Sequence, residues 1–248
     1  MFEDIDREVS DAVQYYYQTL RGQAAEHEES ETEVKGRRSE VLGGQQMDGF
    51  AWLIEELLVE QTSINADYIK HDYQATLPGY YRPEKEWDTA VVYDDQLYAA
   101  LEYKSQGSSI GNNLNNRTEE AIGSNTDIQK AYEEGLFEPS PAPWVGYLIL
   151  MVDNKASQKP RQLRQPNFPA DDEFQGASYV DRMELLCLRM LRQRLVDGAG
   201  FLLSNEEIGI DGEYREPNEE LAFERFARSL ISHVNGHLPE DARASSHE

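Results

Sequence analysis

Apolar residues along this chain recur with a helical period at both ends and with a strand period in the middle. Residues 3–21, EDIDREVSDAVQYYYQTLR, place Ile5, Val9, Val13 and Tyr16 three or four positions apart, which predicts an amphipathic helix. Residues 24–40 are polar, glutamate-rich and aperiodic, and read as a mobile loop. From Gly43, the text GGQQMDGFAWLIEELLVEQ sets Phe50, Leu53, Ile54, Leu57 and Leu58 on one stripe, a second helix. The two prolines of PGYYRPEKEW (78–87) mark a turn-rich approach to the next element. DTAVVYDDQLYAALEYK then reads as two strands hinged at Asp94-Asp95.

Beyond the hairpin, residues 105–115 read as a polar loop. Asn116 and Glu119 fit an N-cap and N3 pair opening a helix to about Glu134. WVGYLILMV (144–152) is a continuous apolar run of strand length, as expected for a strand buried on both faces. Residues 177–195 and 217–235 carry helical periods, with FLLSN between them as a short strand, and 239–248 has the composition of a frayed tail. Helix, hairpin, helix and strand in that order predict an α/β core with a mixed sheet. The expected organisation is one domain over 1–238, with a core at about 43–153 and a helical part at about 170–238.

Charge complicates this picture. The chain has 47 acidic against 23 basic residues, a formal charge of −24, and its bases are 7 Lys and 16 Arg. Such a balance ordinarily repels nucleic acid. An acid-rich, lysine-poor surface also suits concentrated salt, where repulsion is screened over about 3 Å at 1 M. The single cysteine, Cys187, can form no internal disulfide and reads as a small buried hydrophobe. The start MFEDIDREVS has no basic region before an apolar run, and the expectation is a soluble cytoplasmic protein.

Candidate chemistry sits on the hairpin. Simple alternation puts Leu97, Ala99, Leu101 and Tyr103 on one face and Tyr98, Ala100, Glu102 and Lys104 on the other, with the two charges at the strand's exit. Asp88, 14 residues before Glu102, can lie opposite it. Two facing carboxylates repel, and a divalent cation relieves them. Mg²⁺ is held by one or two carboxylates and keeps waters to share with a phosphate, and a neighbouring lysine can orient the attacking water. Asp88, Glu102 and Lys104 together point to phosphodiester hydrolysis. Parity imposes a condition. With a two-residue turn, paired residue numbers sum to 189 and Asp88 faces the core, so an odd-length connection or a bulge within 88–102 is required to reach 190.

Other residues carry two readings each. Gln106 shares the face of Lys104 and either positions water or phosphate or simply ends the strand. The neutral stretch GNNLNNR offers Asn112, Asn113, Asn115, Asn116 and Arg117 as DNA contacts, since Asn reads adenine and Arg reads guanine. Those asparagines can equally build turns and caps. Glu55 and Glu56 read as solvated helix surface. Gly43 and Gly44 could offer amides to a phosphate. The arginines of 182–194 either grip DNA phosphates or pair with neighbouring acids. The five histidines show no metal-ligand spacing.

The Asp-x13-Glu-x-Lys pattern resembles the PD-(D/E)xK nucleases. The texts GGQQMDGF, WDTAVV, LEYKSQ, GNNLNNRTEEAIG, PWVGYL and EFQGASY resemble the XhoI-type restriction endonucleases over about residues 40–195. That resemblance implies a restriction-endonuclease-like fold. It implies Mg²⁺-dependent double-strand cutting of a palindromic site, CTCGAG, by a homodimer, with a methyltransferase protecting host DNA. Asp88 and Glu102 are then metal ligands and Lys104 the catalytic lysine. The chain departs from the broad signature in carrying Trp87 where a proline usually precedes the aspartate. A nuclease of repair or junction resolution and a DNA-binding protein with a decayed site are the competing readings.

Overall fold

The computed structural model describes residues 4–29, 45–107, 110–165 and 167–243. Its strands are β1 (Ile69–His71), β2 (Thr76–Pro78), β3 (Glu84–Glu86), β4 (Thr89–Tyr93), β5 (Gln96–Gln106), β6 (Trp144–Val152) and β7 (Gly198–Ser204). Five of them form one mixed sheet in the order β1-β4-β5-β6-β7, and β2 pairs with β3 separately. The β1–β4 and β4–β5 pairs are antiparallel, whereas β5–β6 and β6–β7 are parallel. The expected mixed α/β sheet is present.

The helices are α1 (Ile5–Glu29), α2 (Asp48–Thr62), α3 (Ile110–Glu133), α4 (Tyr179–Arg192), the short α5 (Glu206–Gly209) and α6 (Phe223–His237). Residues of α1, α2 and α6 bury one sheet face around Val91, Leu101 and Leu148. Residues of α3 and α4 bury the other around Ala100, Tyr147 and Ile149. This three-layer arrangement explains the uninterrupted apolar run of β6, which has helices above and below and a parallel strand on each side. Gly146 and Gly198, paired across β6 and β7, make room for the Trp144 ring, since a Cβ at either would lie 2.3 Å from it. No helix of the described residues is long and apolar enough to cross a membrane.

Several boundaries differ from the sequence reading. α1 continues through Glu29, into the stretch expected as a loop, because Ala and Glu are strong helix formers even without an apolar period. Residues 30–40 and the Gly43-Gly44 pair lie outside the described residues. α3 begins at Ile110 and not at Asn116, so most of the expected polar loop is helix. Ile110, Leu114, Ala121 and Ile128 are buried against the sheet, and this packing outweighs the weak helix propensity of the intervening Gly and Asn. The expected frayed tail is anchored at its start. Ala242 is buried, and Arg243 donates from Nη1 to the Thr62 carbonyl at 2.6 Å.

Within the β4–β5 hairpin, Asp94 and Asp95 have φ of 49° and 58°, the paired left-handed conformation of a two-residue turn whose twist matches the strands. Tyr93 pairs with Gln96 and Val92 with Leu97, a sum of 189, but Val91 pairs with Ala99 and Thr89 with Leu101, a sum of 190. The shift falls between Val91 and Val92, leaving Tyr98 as the extra residue of a β-bulge. Of the two devices that could correct the parity, the bulge is the one used. It also reverses the faces expected for the start of β5: Leu97 packs on the α3/α4 side, while Tyr98 joins Ala99, Leu101 and Tyr103 on the α1/α2/α6 side.

Candidate active site

The site lies where β5 leaves the sheet. Continuing the 190 register by one residue aligns Asp88 with Glu102, and the Asp88 amide donates to the Leu101 carbonyl at 3.2 Å. The Asp88 carboxylate accepts from the Tyr103 amide at 2.6 Å, which fixes its direction. Lys104, two residues past Glu102 on the same side of β5, lies with Nζ 4.0 Å from Asp88 Oδ2 and pairs with Glu102 Oε1. Asp88, Glu102 and Lys104 are therefore brought together as the parity argument requires.

A second cation was not foreseen from the sequence. Lys85, on β3, pairs with the other oxygen of Glu102, Oε2, and its Nζ sits 4.6 Å from the centre of the Trp87 ring. Trp87, only 2% exposed, thus does more than fill the position where the broad signature has proline: it supports the lysine that neutralises Glu102. The loop before β3 is held by Asp127 of α3. This buried carboxylate accepts from the amides of Tyr80 and Tyr81 at 2.9 and 2.7 Å and pairs with Arg82 Nε at 2.8 Å. The signal available in sequence was the Lys85-x-Trp87 spacing ahead of Asp88, which only the β2–β3 pairing turns toward Glu102.

The electrostatics divide the two carboxylates. Burial and the neighbouring charge of Glu102 push Asp88 up to about 6, against the pull of Lys104 and the Tyr103 amide. Burial works to raise Glu102 as well, but Lys104 and Lys85 outweigh it and hold that carboxyl below its usual value. Lys104 in turn is raised, because Glu102 and Asp88 outweigh its desolvation. The expected repulsion between bare carboxylates is thus already relieved by two ammonium groups. Oxygen donors that attract two cations at once suit a hard divalent ion, and two carboxylates leave an Mg²⁺ ion room for the waters it keeps. Among the described residues no group of three or more His, Cys, Asp or Glu side chains is placed to hold a metal ion.

The remaining candidates fall in three places. Gln106 is buried at the end of β5, level with Met151 of β6. Asn112, Asn113, Asn115, Asn116 and Arg117 lie on the first turns of α3 and not on a loop, with Asn115 and Asn116 exposed. Asn116 sits inside the helix, so the expected capping pair with Glu119 does not form; no acid occupies the first turn of α3. Arg117 pairs with Glu120 at 2.7 Å, and its positive charge reaches both Lys104 and Tyr147, which puts it on the same face of the sheet as Lys104. Glu55, expected as solvated surface, instead meets His71 Nε2 at 2.7 Å, and His71 Nδ1 meets Thr89 Oγ1 at 3.1 Å. Tyr103 donates its hydroxyl to the same Thr89 oxygen at 3.0 Å, so this chain of contacts braces the hairpin from the opposite face. Cys187 is buried and its thiol is pushed up to about 12, in keeping with a core residue.

Comparison with known proteins bears on the same region. The family described as Restriction endonuclease XhoI matches residues 26–216. The type II restriction enzyme BstVI of Geobacillus stearothermophilus is 42% identical over 205 residues, 80% of this chain and 91% of that protein. The type II restriction enzyme XhoI of Xanthomonas vasicola is 43% identical over 173 residues, 69% of each chain. The type II restriction enzyme AbrI of Azospirillum brasilense is 39% identical over 166 residues, 66% of this chain and 74% of that one. No solved structure matches. With a family match across Asp88, Glu102 and Lys104 and relatives at this identity, the chain belongs to the XhoI family of type II restriction endonucleases, which are site-specific deoxyribonucleases.

Proposed function

We propose that this enzyme makes Mg²⁺-dependent double-strand cuts at a short palindrome, CTCGAG as the family resemblance implies, and that Asp88, Glu102 and Lys104 carry the chemistry. The observation that carries this reading is the bulge-corrected register that aligns Asp88 with Glu102 and sets Lys104 beside both. A palindromic site mirrors two-fold protein symmetry, so the acting form is a homodimer with one site for each strand. A methyltransferase of the same specificity would protect the host's own DNA, making the pair a restriction-modification system.

Asp88 and Glu102 would hold the cation, with Gln106 next along the strand to position water or phosphate. A divalent ion so held supplies polarisation of the phosphoryl oxygen and acidification of a bound water. Lys104 orients the attacking water and stabilises the charge that grows on the phosphate oxygens. Water oxygen bonds to phosphorus, the bond to the leaving deoxyribose oxygen breaks, and that oxygen takes up a proton. Lys85 keeps Glu102 ionised by pairing with its second oxygen. The exposed asparagines of α3 and Arg117 would meet base edges and phosphates of the bound duplex.

Digestion of a plasmid of known sequence with Mg²⁺, followed by mapping of the fragment ends, tests this reading. Discrete fragments ending at CTCGAG are expected. Structure-dependent nicking would move the enzyme to repair or junction chemistry, and no cutting at all would leave only DNA binding.

A further inference from the structure

Two arginines outside the catalytic group, Arg161 and Arg182, lack the carboxylate partner that this chain gives several of its other arginines. Arg189 pairs with Asp171 and Glu173 at 3.0 and 2.6 Å, Arg192 with Glu220 at 3.2 Å, and Arg215 with Asp153 at 2.6 Å. Arg161 and Arg182 pair with no carboxylate among the described residues, although the chain has 47 acids. Both guanidinium groups lie against one ring, that of Tyr179, at 4.2 and 5.8 Å from its centre. Arg161 donates one bond, to the Ala156 carbonyl at 3.0 Å, while its Nε and the Nε and Nη2 of Arg182 have no acceptor.

The acids nearest Arg182 on α4 are turned to other tasks. Asp181 accepts from the Ser178 amide at 2.8 Å and completes the capping box that opens the helix. Glu184 accepts from Asn218 at 2.8 Å. Two like charges against one ring without a counter-ion repel, and donors buried without acceptors carry a desolvation cost. An anionic ligand removes both penalties. Arginine's planar fork, pre-oriented by stacking on an aromatic ring, suits a phosphate.

Position identifies which phosphate. Tyr179 and Val180 donate their amides to the Ser157 carbonyl at 3.1 and 3.2 Å, and Ser157 lies in the turn that follows β6. The end of β6 is level with the end of β5, since Met151 pairs with Gln106. Tyr179 also reaches the start of α3: its hydroxyl oxygen lies 2.5 Å from where a Cβ on Gly111 would stand. The cluster therefore sits at the end of the sheet where β5, the strand of Lys104, and β6 finish, beside a helix amino end that has no acid in its first turn.

We propose that Arg161, Tyr179 and Arg182 form a clamp for a non-scissile phosphodiester of the bound DNA, a role that rests on the nuclease reading above. The test measures equilibrium binding of a duplex carrying the target site, and of one lacking it, across a salt series with divalent ions chelated. The proteins compared are the wild type, Arg161→Gln, Arg182→Gln, the double variant and Arg182→Lys. The glutamine variants should bind both duplexes about tenfold or more weakly, because a charge-assisted bond is lost and phosphate contacts carry no sequence information. The slope of log affinity against log salt should fall by about 0.9 for each phosphate contact removed. Arg182→Lys should restore the slope but not the full affinity, and it serves as the readout if a glutamine variant fails to fold. Unchanged affinity and slope in a folded double variant, while the wild type binds and cuts, would overturn the clamp and leave the nuclease reading intact. A wild type that neither binds nor cuts would overturn both. Thermal stabilisation of the wild type by inorganic phosphate that the double variant loses, with DNA binding unchanged, would assign the pair to a free anion and overturn the clamp.

Discussion

Asp88 and Glu102 are brought level across the β4–β5 hairpin by one extra residue, Tyr98, in the strand that carries Glu102. Deleting Tyr98 with the Asp94-Asp95 turn unchanged closes the bulge: the pairs Val92–Leu97 and Val91–Ala99 become consecutive, and Asp88 stays level with Glu102 in a regular hairpin. The deletion variant should keep cleavage, because the carboxylates remain level, but should be less stable to urea by about 3 kcal/mol, since the buried Tyr98 ring is lost. Loss of cleavage in a folded deletion variant would show that the site needs the local twist of the bulge and not the register alone.

Glu102→Gln should reduce the cleavage rate by roughly 100-fold or more, the scale of losing a pre-organised charge contact at a reacting centre. The stability effect has the sign opposite to that expected from facing carboxylates alone. Lys85 and Lys104 both pair with Glu102, and removing its charge leaves Lys85 without a counter-ion and Lys104 with only Asp88, 4.0 Å away. Urea unfolding should show a loss of about 3 kcal/mol, in the range for breaking a buried ion pair. A variant as stable as the wild type would show that the lysines find other partners.

Lys85→Met should tighten divalent-ion binding to the DNA-free protein. Lys85 occupies an oxygen of Glu102 that a metal would use, so it competes with the ion. Titration of Mn²⁺ by calorimetry gives the comparison directly, with an affinity gain of several-fold expected from loss of one adjacent positive charge. Equal or weaker binding would exclude competition at that oxygen.

The raised pKa of Asp88, about 6, makes two pH predictions with fixed signs. Cation binding should strengthen as pH rises through about 6, as Asp88 gives up its proton, and Asp88→Asn should flatten that dependence. Without metal, the folded state holds the Asp88 proton more tightly than the unfolded chain, whose carboxyl has its ordinary value near 3.8. Asp88 therefore contributes stability that is fully present below about pH 3.8 and is lost as pH rises to about 6. The difference in urea midpoint between wild type and Asp88→Asn, measured across that window, should show this loss. A constant difference would place Asp88 in a more solvated setting.

The sequence by itself determined the elements whose patterns are strong and local. The stripe of Phe50, Leu53, Ile54, Leu57 and Leu58 fixes α2, the apolar run 144–152 fixes β6, and the hairpin around Asp94-Asp95 follows from turn residues between alternating strands. Strand parity also dictated that a two-carboxylate site needs a register shift, because side chains alternate with period two. Which device supplies the shift was decided only in the folded sheet, where Tyr98 gains burial on the α1/α2/α6 face. The start of α3 was hidden because Gly and Asn favour turns locally, and only packing of Ile110 and Leu114 on the sheet overrides that preference. Lys85 was hidden for a similar reason: it lies 17 residues from Glu102 in sequence, and tertiary contacts, the β2–β3 pairing and the Asp127 anchor, bring its charge to that carboxylate. Local chemistry wrote the elements and the parity; long-range packing chose the bulge, the helix start and the second lysine, because each is stabilised by groups far away along the chain.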